Sequence, residues 1–452
     1  MINKLKHLSK TNKILLINTI MAFGVRGIGL VVSLYTFPVY MDFFSDQRVL
    51  GLWFTMLSLL TWVLTFDLGI GNGLRNKLVQ PLVEHDFNKA KILITSAYTV
   101  SGIIVVIGFL SGLIIFPMID WNSVFNISAD LISPEALLKT LMILYSGVLI
   151  QFLLKIINSI FYALQISVLP NMLALLSNTL LLVYVLLVNR VDLEGNLLML
   201  ARANIYFTNL PLLVASIIVF KTKLKHCAPN LKYYNNKYAI SVMSLGLTFF
   251  WLQLMSLVLT STNEFIITWL SDPQDVVNYQ IYFKLFSLVG TIFTLSMIPI
   301  WSAITKAHYE KNYEWIAKIF NLLKILAFIF VTGEFVLILI LQPIVNFWLG
   351  ENAIEINYLI AFIFAVSGGL YIWHSAITSV VNGIGRLKIQ IIFLTIGGLI
   401  NIPIAFLLFS VSGNWISIVI ANIISLLPYC VIQPFFISKY LNNERRYKDE
   451  LI

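Results

Sequence analysis

Charge is scarce in this sequence. Only 11% of its 452 residues are Asp, Glu, Lys or Arg, against 59% that are hydrophobic. A soluble core cannot absorb that much apolar surface, so the composition excludes an ordinary globular domain and selects a polytopic membrane protein. Cysteine is nearly absent. Cys227 in a basic loop and Cys430 in an apolar run have no metal-ligand spacing between them, which excludes a disulfide framework and a thiolate metal centre. No G-x-x-x-x-G-K-[ST] occurs, so nothing suggests that this chain alone drives a process with ATP. No serine–histidine–acid grouping, paired-carboxylate motif in a polar loop or His/Cys cluster is present, and the longest outward loop, around Ile119 to Ser133, has no room for a catalytic domain. The expectation is a protein that is not an enzyme, with no catalytic residues, no cofactor and no metal.

Long apolar runs fill the rest. The first, Ile14 to Tyr40, is too long for the core of a cleavable signal peptide and contains Arg26, so it reads as a transmembrane helix. At roughly 20 residues per crossing, about 12 spans fit, near 14–40, 49–72, 91–117, 136–160, 171–189, 197–220, 239–270, 277–301, 318–347, 357–381, 388–409 and 414–438. Lys and Arg set the orientation. With the N-terminus inside, 22 cations fall in cytoplasmic segments, and only Arg48, Lys139 and Arg190 fall on the other face. The net charge of +9 is therefore mostly topological, and no nucleic-acid partner is expected. Both termini are expected to be cytoplasmic.

The longest polar connection, KTKLKHCAPNLKYYNNKY, occupies 221–238. It divides the chain into an N-terminal six-helix lobe (1–220), a basic cytoplasmic linker (221–238) and a C-terminal six-helix lobe (239–452). A weak repeat at an offset of 227 residues pairs Phe23 with Phe250, Val31 with Val258, Val49 with Val276 and Ala90–Lys91 with Ala317–Lys318. An even number of spans per half keeps both halves in one orientation, which implies a parallel repeat about the membrane normal with a central cavity. The fold class expected is thus all-α and polytopic.

Ionisable groups inside the spans are the candidate site residues, because a charge at a helix centre costs about 2.5–3.5 kcal/mol on insertion scales. The cations are Arg26, Lys155, Arg202, Lys284 and Lys324; the acids are Asp67, Glu264 and Glu334. Lys155 and Lys324 lie near cytoplasmic helix ends, where a long stem can snorkel. Arg202 and Glu264 lie near outer ends, and Glu264 there could simply face an outer vestibule. Arg26, Lys284 and Glu334 lie too deep to reach water along their own helices. Two readings stay open for these groups: ion pairs that fix helix packing, such as Arg26 with Asp67, or the lining of a substrate cavity. The excess of cations favours an anionic substrate group held by Arg26, Lys284, Lys155 and Arg202, with Arg26 foremost because a guanidinium keeps its charge in any surroundings. Asp67, Glu264 and Glu334 are candidates for ion coupling or for ion pairs. Trp62, Tyr371 and Trp373 could stack on sugar rings or pack between helices, and His374 fits a buried hydrogen-bonded imidazole. Trp53, Trp301 and Trp348 read as interfacial belt residues. Gly69, Gly71 and Gly73 end span two and allow close backbone packing. Pro38, Pro211, Pro299 and Pro343 would kink their helices.

The run Gly51-Leu52-Trp53, Ser58-Leu59-Leu60 and then Asp67-Leu68-Gly69-Ile70-Gly71-Asn72-Gly73-Leu74-Arg75-Asn76 resembles the O-antigen flippase (Wzx-like) family of polysaccharide biosynthesis proteins. Asn263-Glu264-Phe265-Ile266-Ile267, VVNYQIYFKLF at 276–286 and the amphipathic stretch from Pro299 to Trp315 extend the likeness over the whole chain. The resemblance implies the fold of the multidrug/oligosaccharidyl-lipid/polysaccharide exporter (MOP) superfamily, with two lobes around a V-shaped cavity. It implies an undecaprenyl-diphosphate-linked oligosaccharide repeat unit as substrate, flipped by alternating access across the bacterial cytoplasmic (inner) membrane for O-antigen or other surface polysaccharide assembly. Membrane lipids and the polysaccharide polymerase and chain-length machinery are the further partners it suggests. In such flippases intramembrane arginines and lysines are thought to line a cationic lumen, which Arg26, Lys155 and Lys284 match in kind. The alternatives are a cation-coupled drug antiporter of the same superfamily and a non-transporting component of a polysaccharide polymerase.

Overall fold

A computed structural model describes residues 10–65, 69–164, 166, 168–244 and 247–449. Every regular element among them is helical. In the first half these are α1 (Lys10–Phe44), α2 (Gln47–Thr65), α3 (Ile70–Val83), α4 (Phe87–Ile115), the short α5 (Trp121–Val124), α6 (Pro134–Leu154), α7 (Ile156–Ala163), α8 (Val168–Leu187) and α9 (Leu193–Lys221). Then follow α10 (Asn236–Ser244), α11 (Leu247–Thr260), α12 (Asn263–Leu270), α13 (Pro273–Tyr309), α14 (Tyr313–Leu339), α15 (Leu341–Leu349), α16 (Tyr358–Ile384), α17 (Lys388–Ser412) and α18 (Ile416–Asp449). Eleven helical stretches among the described residues are long and apolar enough to cross a membrane. The seventh expected crossing is divided instead among α10, α11 and α12. The protein is a multi-pass, all-α membrane protein.

Local chemistry sets where the helices begin and end. Asp86 caps α4 by accepting from the Lys89 amide at 2.9 Å, and Asn312 caps α14 by accepting from Trp315 at 3.1 Å. Ser133 caps α6 just ahead of Pro134, whose missing N–H costs nothing at a first turn. At the other ends, Gly385 (φ 78°) and Gly413 (φ 62°) close α16 and α17 in the left-handed conformation that a side chain disfavours.

The chain forms two compact units, residues 1–251 and 252–452. In the first, α1 packs on α8, α6 on α9, and α3 on both α4 and α7. Its core includes Leu74, Leu78, Leu93, Ile94 and Ile157. The linker and α10 belong to this unit. The Asn230 amide donates to Thr95 Oγ1 at 3.1 Å, the Asn235 amide to Ser96 Oγ at 3.2 Å, and Lys91 sits over the Tyr233 ring at 4.0 Å. The polar connector is therefore pinned along the first turns of α4. Behind it, α3 meets α10 so closely that a Cβ on Gly73 would lie 1.9 Å from the Val242 carbonyl oxygen, and Lys77 donates to Ser241. Gly73 thus serves close backbone packing, as the sequence suggested.

In the second unit α16 is central, packed against α13, α14 and α18, while α17 packs on α18. Ile372, Ala376, Ile377 and Val380 of α16 are buried in its core. The surfaces of both units carry apolar stripes, such as Val106, Ile107, Leu110 and Ile114 on α4, all more than half exposed. Such stripes suit a hydrocarbon solvent.

One belt assignment is overturned. Trp53 is fully buried, between Phe44 (ring centroids 6.3 Å apart) and Tyr40 (6.5 Å), because the start of α2 with Leu50 and Leu52 is sunk inside the first unit. Trp301 keeps 37% of its surface exposed and Trp348 is half-buried, both compatible with an interfacial place.

Candidate functional site

A cluster of buried polar residues lies within the second unit. The break between α11 and α12 delivers Asn263 and Glu264 in the first turn of α12, where both are buried. Glu264 Oε1 accepts from Gln280 Nε2 on α13 at 2.8 Å. Lys284 is one turn further along α13, on the same face as Gln280, and close enough to feel the Glu264 charge. Glu264 is therefore a buried group, held where the short α12 packs against α13.

Asn263 starts a chain of side-chain amides. Its Nδ2 donates to the Tyr279 hydroxyl at 3.0 Å, and its Oδ1 accepts from Asn422 Nδ2 on α18 at 2.8 Å. Asn422 Oδ1 in turn accepts from Asn401 Nδ2 on α17 at 2.6 Å, and Asn401 also reaches Ser425 Oγ at 3.4 Å. A relay of neutral polar groups thus ties α12, α13, α17 and α18 together. Buried amides hold only when paired, so this relay fixes the helices in one arrangement.

Beside the relay is a cavity of about 210 Å³. Its wall combines amides and hydroxyls (Asn263, Asn422, Ser287, Thr291) with aromatic rings (Phe286, Tyr371). Gly368 also lines it, and behind Gly368 lies Glu334 on α14. Glu334 is completely buried, and neither carboxylate oxygen has a hydrogen-bond partner. An unpaired polar group of this kind is expensive and marks a functional position more often than a structural one.

The first unit carries three of the candidate cations, all exposed. Arg26 on α1 is exposed, and its Nε donates to Asn171 Oδ1 on α8 at 3.1 Å, a neutral partner. Lys155, at the junction of α6 and α7, and Arg202 on α9 are also exposed. The proposed pairing of Arg26 with Asp67 lies outside the described residues, as does Asp67 itself. Lys324, in the second unit, is exposed, with its ammonium 3.2 Å from Asn321 Oδ1 and over the Phe320 ring at 4.5 Å.

The aromatic candidates separate. Tyr371 lines the cavity and donates to the Leu259 carbonyl at 2.9 Å. Trp373 does not join it, since two residues along a helix turn the side chain to the far side. Its indole donates to the Cys430 carbonyl at 3.0 Å and its ring stacks on Phe320 (centroids 6.3 Å apart, 15° between planes), so it packs α16 against α14 and α18. Trp62 is half-buried in α2. His374 rests against Thr378 at 3.4 Å and the Tyr429 ring.

No family model matches the chain, and no curated protein matches it either. Solved structures do. An inward-facing multidrug resistance MATE family transporter of the MOP superfamily superposes with a TM-score of 0.74 at 14% identity, over 93% of this chain and 99% of that one. An outward-facing MATE family transporter of the same superfamily gives 0.63 at 14% identity, over 95% and 96%. A MATE crystal structure in the bent conformation gives 0.63 at 16% identity, over 97% and 98%. The chain has the MATE fold.

The MATE likeness extends over nearly the whole length of both chains, so it covers both compact units of this one. At 14% identity it says nothing about individual site residues. Sequence reading of this MATE-fold chain found the ionisable groups and missed Asn401, Asn422 and Tyr279. A signal existed: asparagines within LINIP and IANII interrupt apolar runs, and a buried amide needs a partner almost as much as a charge does.

Proposed function

We propose that this protein is a transporter that moves an anionic lipid-linked oligosaccharide, an undecaprenyl-diphosphate-linked repeat unit, from the cytoplasmic to the outer leaflet of the bacterial inner membrane. Both termini lie in the cytoplasm on this reading. The carrying observation is Arg26: an exposed guanidinium within an apolar helix, bonded to the neutral Asn171 and meeting no carboxylate among the described residues. Its charge is left for a substrate, and a diphosphate is the group that a planar guanidinium holds best. Lys155 and Arg202, exposed on the same unit, add to the cationic character. The polyprenyl tail stays in lipid while the sugars pass. The MATE fold supports alternating access as the mode of movement, since inward- and outward-facing forms of that fold are both known. Moving negative charge out of a negative interior gains about 2.3 kcal/mol per charge per 100 mV.

Glu334 favours a second reading. A buried carboxyl with no partner suits a proton- or cation-coupled antiporter of drugs or other small molecules, and two of the MATE structures similar to this chain are described as multidrug resistance transporters. Deleting the gene and locating the lipid-linked repeat unit separates the two. Accumulation on the cytoplasmic leaflet with loss of surface glycan supports flipping. Unchanged surface glycan, together with new sensitivity to cationic drugs, replaces it with antiport.

A further inference from the structure

A second cavity, of about 250 Å³, opens where α16 ends, α17 begins and the last turns of α18 pass. It has the two-part character of a lipid headgroup site. Its polar side presents Arg386, in the short α16–α17 connection, with Lys439, Gln433 and Asn443 from α18. Its apolar side is built by Ile384, Ile389 and Phe436, the last 48% exposed.

Arg386 is held in place by its neighbours. Its guanidinium lies over the Tyr440 ring at 4.0 Å, and one nitrogen reaches Glu444 only at the outer limit of an ion pair, 4.0 Å. That long contact leaves most of its donors free. Lys439 is exposed, so its ammonium can move toward a ligand at no cost in broken bonds. Gln433 is 97% buried on the cavity wall, with its side-chain oxygen unpartnered. Gln433 thus brings a buried and incompletely paired amide to the cavity wall. In addition, α17 starts with no side-chain cap, so its first amides, beside Ile389, are open to an anion.

The geometry points to a binding site for the phosphate headgroup of an anionic glycerophospholipid. Arg386 and Lys439 take the phosphate, Gln433 takes a headgroup hydroxyl or amine, and the glycerol and first acyl carbons lie on Ile384, Ile389 and Phe436. Two cations beside an apolar floor at the ends of three membrane helices select a lipid over a soluble anion, which would leave that floor wet. This inference does not rest on the proposed flippase activity.

Native mass spectrometry of the purified full chain with added phosphatidylglycerol or phosphatidylcholine tests it. The intact protein should retain phosphatidylglycerol in preference. The double substitution Arg386→Gln/Lys439→Gln should weaken that retention about tenfold or more, from the usual contribution of two cations near a membrane surface. Lys232→Gln/Lys311→Gln, an equal loss of charge elsewhere, should leave it unchanged. Gln433→Leu keeps every charge and should also lower retention, which covers the case that the double variant folds poorly. Equal retention of both lipids by the intact protein, or undiminished retention by Arg386→Gln/Lys439→Gln, overturns the site. Release of the bound lipid by millimolar inorganic phosphate overturns the lipid assignment in favour of a soluble anion.

Discussion

Gly368 leaves the space that Glu334 occupies: a Cβ on that glycine would sit 2.7 Å from Oε1 and 2.9 Å from the carboxyl carbon. The absence of a side chain on α16 is thus matched to an acid on α14, and that acid has no hydrogen-bond partner. Gly368→Ala should lower the melting temperature, with overpacking of this kind costing about 1–3 kcal/mol. Adding Glu334→Ala should recover most of that loss, because the clash is gone. Glu334→Met alone should raise the melting temperature, since an unsatisfied buried polar group costs about 1–3 kcal/mol, and on the antiport reading it should also abolish ion-dependent transport. A Met variant less stable than the parent would mean that the carboxyl is paired after all. All four proteins can be compared by thermal unfolding in one detergent.

Gly73 makes the same kind of contact with backbone instead of a side chain. With the Val242 carbonyl oxygen 1.9 Å from where its Cβ would be, Gly73→Ala must push α10 away from α3 and strain the Lys77–Ser241 bond. The expected cost is about 1–3 kcal/mol or more, since backbone yields less readily than a side chain. Because α10 anchors the end of the connector that Thr95 and Ser96 hold on α4, the variant should also be cut faster by trypsin at Lys232. Unchanged melting and unchanged cleavage would show that α3 and α10 are not in contact.

These two glycines show what the sequence could reveal. Apolar runs are local properties, so the helices and the close packing at Gly73 were within reach of pattern reading, whereas the division of the seventh crossing after Tyr238, expected as one span over 239–270, was not. Burial is not local. Trp53 looks like a membrane-interface residue until Tyr40 and Phe44 are seen to enclose it. Trp373 and Tyr371 look like one aromatic cluster until the helix turns them to opposite sides. The partners of Asn263 on α18 and Tyr279 on α13 lie 159 and 16 residues away, and no spacing announces the first of these. Glu334 was singled out for its charge, but its lack of partners is a fact of packing.

Asn422 joins the two halves of the amide relay, accepting from Asn401 and donating to Asn263. Asn422→Leu strips a partner from both neighbours, and each orphaned group costs about 1–3 kcal/mol. The melting temperature should drop well below that of Asn422→Ser, whose hydroxyl can still serve one of the two. Equal stability of the Leu and Ser variants would show that the relay contributes little to holding α12, α17 and α18 together.

Arg26 offers the most direct test of an anionic cargo. Its Nε donates to the neutral Asn171, so the side chain's charge is not consumed by an acid among the described residues. A charge-assisted bond to phosphate contributes about 1.5–3 kcal/mol, which converts to roughly tenfold to a hundredfold in rate if the contact tightens as the substrate crosses. Arg26→Ala should slow the flux of a diphosphate-linked oligosaccharide in proteoliposomes by that amount. Arg26→Lys, which keeps the charge but loses the planar fork, should retain part of it. Asn171→Ala should do less than either, because it removes only a positioning contact. If Arg26→Ala transports normally, the guanidinium merely rests against α8, and the anionic-substrate reading loses its main support.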